Sequence, residues 1–171
     1  MRGLFVLAAL ALAAGLPAQS GHADTKVVAK AGSWEAFAGT TRGDKIGVCG
    51  ISATVGDRYF GLKQFAGERT FTIQMSDKSW QLKIDQDVAL TLQFDVSLTW
   101  RANGTAFRFD DGDPGIQLDV GRTELDRFRR EFRDSSLLRI RFGDLLPEWQ
   151  LGLQGTGAMN GPLEDCIRNL K

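Results

Sequence analysis

The densest set of possible metal ligands is the acidic segment 110–115, which has the sequence Asp-Asp-Gly-Asp-Pro-Gly. Several carboxylates on a tight turn would suit a hard cation such as Ca²⁺. The spacing departs from that of an EF-hand loop, and no glutamate closes it. Asp, Gly and Pro are also the residues that make turns. A solvated turn between two strands is therefore the favoured interpretation, and neither a metal nor another cofactor is predicted.

Catalytic motifs are missing from the sequence: it has no nucleophile elbow, phosphate-binding loop, paired Cys-x-x-Cys or zinc-protease motif. The one histidine, His22, lies within a predicted leader, so the remaining chain lacks the commonest general base. A pair of carboxylates could still hydrolyse a glycan. The 21 acidic residues offer too many pairs for one to be chosen. A non-catalytic protein is expected, with a carboxylate-dependent glycan hydrolase as an alternative.

A run of arginines could bind an anion or an acidic partner. Acidic residues are interleaved with it, which favours a mixed, salt-bridged surface instead. The arginines of this possible partner surface are Arg127, Arg129, Arg130 and Arg133, and the acidic residues are Glu124, Asp126, Glu131 and Asp134.

Two cysteines, Cys49 and Cys166, remain for redox chemistry. In an oxidising compartment an even pair predicts a disulfide, which here would close a loop of more than 100 residues. The alternative is two buried free thiols.

The N-terminus predicts that oxidising compartment. Arg2 precedes an apolar stretch at 4–16, and small residues at 21 and 23 favour signal-peptide cleavage after Ala23, with a poorer site after Ala18. An uncleaved anchor is the alternative. The expected organisation is a signal peptide at 1–23 and one domain at 24–171, periplasmic or secreted. The sequence contains no second long apolar run, so no membrane span is predicted after the leader.

Charge is nearly balanced after cleavage, because losing Arg2 leaves 20 of the 21 basic residues against 21 acidic ones. A nucleic-acid-binding protein would show a basic excess, so that class is excluded.

Alternating apolar residues predict about nine or ten short strands after a loose polar leader at 24–32. A hairpin is expected between 71–75 and 80–84, a bulge at Asp95, and a tight turn at Asn103-Gly104. The other predicted strands are 34–37, 45–53, 58–65, 90–94 continuing through 96–100, 106–109, 116–120, 138–142 and 149–153.

Two helices interrupt this pattern. Leu125, Phe128 and Phe132 share one helical face within 123–133, with Thr123 as the expected N-cap and Asp126 three residues later. A short C-terminal helix is expected from about Pro162. The fold class is therefore mainly β: an antiparallel sandwich or barrel-like sheet with one inserted helix and a short C-terminal helix.

Aromatic residues in the alternating runs should face the core. Exposed tryptophans acting as a sugar platform are the alternative. The residues concerned are Trp34, Trp80, Trp100, Phe71, Phe94 and Phe142.

Three segments carry a family resemblance: Gly32-Ser33-Trp34 at the opening, the strand 48–52 around Cys49, and the closing segment 149–159 followed by Cys166. In these the chain resembles the small periplasmic proteins related to invasion-associated locus B of Gram-negative bacteria. The family generally has further cysteines in mid-chain, and this sequence has none. The resemblance implies a β-rich domain with a cell-envelope role and brings no catalytic residues.

The leading hypothesis is an exported domain that binds a protein or glycan of the cell envelope. A periplasmic enzyme inhibitor or adaptor is a further alternative to the hydrolase. A binder should present an exposed apolar patch or a protruding loop, for which 110–115 and the arginine-bearing helix are the candidates.

Overall fold

Period-2 apolar patterning produces strands over most of the chain. The computed structural model describes residues 24–41, 44–97 and 99–170. The predicted signal peptide, 1–23, lies outside the described residues. The strands are β1 (Asp24–Ala31), β2 (Trp34–Thr40), β3 (Gly47–Val55), β4 (Arg58–Phe65), β5 (Phe71–Asp77), β6 (Asp87–Phe94), β7 (Trp100–Arg108), β8 (Pro114–Val120), β9 (Leu137–Phe142) and β10 (Leu146–Gly152). The helices are α1 (Arg122–Asp134) and α2 (Thr156–Arg168).

All ten strands belong to one antiparallel sheet with the order β1-β2-β3-β4-β5-β8-β7-β6-β9-β10. The sheet curls until its ends approach each other: the Trp34 indole on β2 donates a 3.0 Å hydrogen bond to the carbonyl of Gly152 on β10. The Arg58 guanidinium on β4 lies 5.4 Å from the centre of the Trp149 ring on β10. The expected mainly-β, barrel-like sheet with an inserted and a C-terminal helix is confirmed.

The curled sheet encloses an aromatic core, and α1 supplies its centre. Phe128 and Phe132 of α1 are almost completely buried. Phe132 meets Trp34 edge-on at 5.2 Å, and Phe128 meets Phe94 at 5.3 Å. Burying each such ring stabilises the fold by about 1.5–3 kcal/mol. The aromatic residues predicted to face the core are all buried except Trp100, which is half-buried.

Residues 24–32 were expected to be a loose leader, and this is wrong. Residues 24–31 form β1, which pairs with β2 from Asp24 opposite Thr40 to Ala31 opposite Trp34. The strand is mostly exposed, with Val27 and Val28 each 48% accessible, so it lacks the buried alternating face that predicts a strand. Backbone pairing to β2 supplies the structure that side-chain patterning does not indicate.

The hairpin predicted between 71–75 and 80–84 is also wrong. Strand β5 pairs with β4 on one side and β8 on the other, and 80–84 is not a strand. The Asp77 carboxylate accepts hydrogen bonds from the Ser79 amide (3.0 Å) and hydroxyl (2.6 Å), which turn the chain away from β5. Burial would raise the Asp77 pKa, but the hydrogen bonds from Ser79 and Arg58 outweigh it and hold that pKa below its usual value. Trp80 then stacks on Trp149 at 4.9 Å, so its burial reflects core packing and not strand pairing.

Two predicted features between β6 and β8 are corrected. Asn103 and Gly104 lie within β7 and form no turn; Gly104 faces the core, where a Cβ would lie only 2.6 Å from Ile116 Cγ2. Glycine is therefore required there for packing. At Asp95 the chain turns with φ +42° instead of forming a bulge, and β6 ends at Phe94.

Both helices begin earlier than expected. The N-cap of α1 is Gly121, and the Thr123 hydroxyl donates to Glu124 instead of capping the helix. Helix α2 starts at Thr156, whose buried hydroxyl bonds the Phe132 carbonyl, so Pro162 lies inside the helix.

No helix among residues 24–41, 44–97 and 99–170 is long and apolar enough to cross a membrane.

The predicted disulfide is confirmed: Cys49 and Cys166 are bonded, with their Cα atoms 5.9 Å apart and a sequence separation of 117. The bond joins the buried side of β3 to α2, which packs on β1, β2 and β3.

Replacing both cysteines, as Cys49→Ala with Cys166→Ser, should lower the free energy of unfolding by about 4–5 kcal/mol, because the unfolded chain loses its long closed loop. Urea denaturation measures the loss. Reductant should weaken the wild-type protein to the level of the variant and leave the variant unchanged. A variant as stable as the oxidised protein would contradict the prediction.

Candidate functional site

The outer face of the sheet carries a second group of aromatic residues, separate from the core. On β4, Phe60 and Leu62 point inward, so Tyr59, Gly61 and Lys63 point outward. Three outward glycines leave room for rings to lie against the sheet, since a Cβ on any of them would overlap the ring above it. Phe37 covers Gly50, Tyr59 covers Gly61, and Phe109 covers Gly115.

These rings line a cavity of about 370 Å³, which we call the outer-face pocket. Its floor is formed by outward residues of β3, β4 and β5. One wall comes from β1 and β2, and the other from the turn between β7 and β8. The lining residues are Thr25, Val27, Glu35, Phe37, Ser52, Tyr59, Lys63, Ser76, Phe109, Asp111 and Asp113.

Lys63 provides the amine of the pocket. Its Nζ donates a 2.6 Å hydrogen bond to Gln74 Oε1 and lies 5.5 Å and 5.8 Å from the ring centres of Tyr59 and Phe109. Within the part of the chain that the structure describes, Lys63 forms no ion pair. Burial lowers the Lys63 pKa to about 8, against an opposing attraction from Asp110. The amine can therefore change charge near neutral pH.

Tyr59 is the rigid wall beside this amine. Its ring meets Phe109 edge-on at 5.8 Å, and burial raises the pKa of its hydroxyl well above the usual value. The phenol therefore stays protonated at physiological pH. It offers a ligand an apolar ring surface and carries no charge.

The acidic segment 110–115 forms the turn that the sequence favoured. The Phe109 amide donates to the Asp113 carbonyl at 2.9 Å, and the Gly112 amide donates to the Phe109 carbonyl at 2.8 Å. Nowhere in the described ranges do three or more His, Cys, Asp or Glu side chains form a group that could hold a metal. The turn instead places the carboxylates of Asp111 and Asp113 at the pocket, where they can accept hydrogen bonds.

The four arginines proposed as a partner surface lie on α1, away from this pocket. Three of them form side-chain ion pairs, which agrees with the salt-bridged alternative: Arg127 with Glu131 at 2.7 Å, Arg129 with Glu164 at 2.8 Å, and Arg133 with Asp134 at 2.5 Å. Arg130 lies near enough to Asp134 to help lower the pKa of that carboxyl.

Trp100 is not an exposed sugar platform. Its indole donates a 2.7 Å hydrogen bond to Glu131, and the Arg127 guanidinium covers its ring at 4.4 Å. Tyr59 and Phe109 present aromatic surface to the outer-face pocket.

A glycan hydrolase would need a carboxyl whose pKa is raised, so that it can act as an acid. The carboxyl groups with displaced pKa values are all shifted downward: Asp77, Asp134 and Glu148. Hydrogen bonds from Arg133 and from Arg141 lead the downward shifts of the last two. This direction gives the hydrolase alternative no support.

No sequence motif indicates Lys63 or Tyr59 as a site residue. One signal was available: Tyr59, Phe60, Leu62 and Phe65 place large apolar side chains on both sides of a single strand. A strand that is apolar on both faces needs cover on both.

Comparisons with protein-family models, with curated proteins and with solved structures give no match to this chain. The resemblance to invasion-associated locus B proteins therefore stays a prediction from the three segments quoted above.

The Gly61→Ala variant should lose about 1–3 kcal/mol of unfolding free energy, because the added Cβ displaces the Tyr59 ring. Gly161→Ala in α2 is the matched control: nothing lies within 4 Å of its Cβ position, so that variant should be unchanged or slightly more stable. Thermal and urea unfolding compare the two. Equal stabilities would show that the ring does not depend on the glycine.

The Lys63→Met variant should change how stability depends on pH. In the wild type the folded pKa is near 8 and the usual value is 10.5, so the unfolded chain binds more protons between these limits. Wild-type stability should therefore rise relative to Lys63→Met by about 1–3 kcal/mol from pH 8 to 10.5. Urea unfolding of both proteins across this range measures the difference. A difference independent of pH would mean that Lys63 titrates normally.

Proposed function

We propose that this protein is an exported, non-catalytic binding domain of the periplasm or cell surface, and that the outer-face pocket holds a sugar ring of an envelope glycan. The observation that carries the proposal is the Lys63 amine held between the Tyr59 and Phe109 rings beside acidic side chains.

Sugar rings have apolar C–H faces and hydroxyl edges. An aromatic surface can cover the face, while a mixture of donors and acceptors can bond the edge. The pocket offers both kinds of group: Lys63 donates, and the carboxylates of Glu35, Asp111 and Asp113 accept.

The charge of the pocket favours a neutral ligand over a polyanion. Two of its carboxylates already have cationic neighbours: Glu35 bonds Lys30 at 2.6 Å, and Asp113 lies 3.9 Å from Lys78. Asp111 and the nearby Asp110 remain beside the single Lys63 ammonium. A neutral sugar uses these groups as hydrogen-bond partners, whereas a highly charged phosphate or sulfate chain would be repelled.

The compartment is supported by the disulfide, which suits an oxidising environment. The predicted leader agrees with the same location. The turn at 110–115, one of the two segments named as candidates for a binding surface, supplies Asp111 and Asp113 to the pocket lining.

The test is to titrate the protein with neutral oligosaccharides of glucose and of N-acetylglucosamine, and to follow backbone amide NMR shifts. Binding of at least one sugar should shift the amides of 59–63 and 109–113. Lys63→Met should weaken that binding by about tenfold or more, since a charged donor is lost. Lys83→Met removes an exposed lysine outside the pocket and should bind normally.

The proposal fails if no sugar of the set shifts the pocket amides. It also fails if Lys63→Met binds as tightly as wild type, because the ligand would then lie elsewhere.

A further inference from the structure

We infer that Lys63 is a covalent capture site, whose amine condenses reversibly with the aldehyde of a small carbonyl ligand, such as the open-chain form of a reducing sugar. The inference rests on the proposed function in that the same pocket receives the sugar, and it adds a bond that binding alone does not require.

The geometry around the amine supports attack on a carbonyl. Nζ lies at a cavity large enough for a sugar ring, between two rings that exclude water from its sides. Among the described residues its one hydrogen bond goes to Gln74 Oε1, which orients one N–H and leaves the rest of the nitrogen open toward the cavity.

The charge state agrees with this geometry. Reaction requires the neutral amine, since only that form has a free electron pair. Because the Lys63 pKa is about 8, the neutral fraction of its amine at pH 7.5 is roughly two orders of magnitude larger than that of a lysine with the usual pKa. Three exposed lysines, Lys30, Lys78 and Lys83, serve as natural references in the same chain.

The step balances without an oxidant or reductant. The nitrogen electron pair forms a bond to the aldehyde carbon, and a proton passes from nitrogen to the former carbonyl oxygen to give a carbinolamine. That carbon then loses its hydroxyl, which leaves as water with a proton from solvent, and a C=N bond forms. The protonated imine carries the same charge as the ammonium it replaces, so it keeps the favourable contact with the Tyr59 and Phe109 rings.

The experiment treats the full, oxidised protein with limiting glycolaldehyde and cyanoborohydride at pH 7.5, and measures alkylation of each lysine by peptide mass spectrometry. Lys63 should be alkylated at least tenfold faster than Lys78 and Lys83. Its rate advantage over Lys78 and Lys83 should shrink above about pH 8, where the Lys63 amine is already mostly neutral. Rates equal to those of the exposed lysines would overturn the inference.

A denatured control separates the pocket from the local sequence. In concentrated urea the preference for Lys63 should disappear, because the pocket is lost; a preference that persists would assign the reactivity to flanking residues and overturn the inference.

Methyl glycosides, which cannot open to an aldehyde, distinguish this inference from the proposed function. If they bind the pocket and Lys63 shows no preferential alkylation, covalent capture is wrong and glycan binding stands. If Lys63 is preferentially alkylated and no glycoside binds, the glycan function is wrong and the reactive amine stands.

Discussion

Burial of Trp34 is the interaction on which the rest of the structure depends. Its side chain is completely inaccessible, and its indole bonds a backbone carbonyl 118 residues away, on the far strand of the sheet. Its ring also meets Phe60 of β4 and Phe132 of α1. A ten-stranded sheet left open would expose its apolar inner face to water, and the Trp34 contacts hold the two ends of that sheet around α1.

Closing the sheet around one core determines which side chains of β4 face outward. The inner positions of β4 are used by Phe60 and Leu62, so the alternating positions must face outward. Those positions hold Tyr59, Gly61 and Lys63; the Tyr59 ring lies over Gly61 and meets Phe109 from the turn after β7. A cavity remains among the rings on this face. The site therefore follows from a strand that is apolar on both sides.

Sequence patterns indicated the parts of this protein whose side chains alternate in contact with one core. The alternation of Leu138, Arg139, Ile140 and Arg141 predicted β9, and the two cysteines predicted the cross-link. Prediction failed where a backbone interaction or a neighbouring strand decides the structure. Strand β1 is held by pairing to β2, and Asn103-Gly104 is extended because it pairs with β6, with Asn103 opposite Ala89 and Gly104 opposite Val88.

The candidate site was harder to predict than the fold, and for a physical reason. Lys63 has no recognisable motif, and burial lowers its pKa at a place where Tyr59 of the same strand and Phe109, almost fifty residues later, both lie close to its amine. Single-strand patterns contain no information about which distant ring will cover an outward lysine. The turn at 110–115 illustrates the same limit: its composition predicted a turn correctly, but only the β8–β5 pairing places that turn beside β4.

Strand β3 links the disulfide to the outer-face pocket. Cys49 faces the core and is bonded to α2, while the next residue, Gly50, faces outward beneath Phe37. Ser52, two residues further along, lines the pocket floor. Because successive residues of a strand point to opposite faces, a bond that fixes Cys49 also restrains the backbone that supports the pocket. Formation of the disulfide therefore strengthens the strand on which the aromatic wall rests.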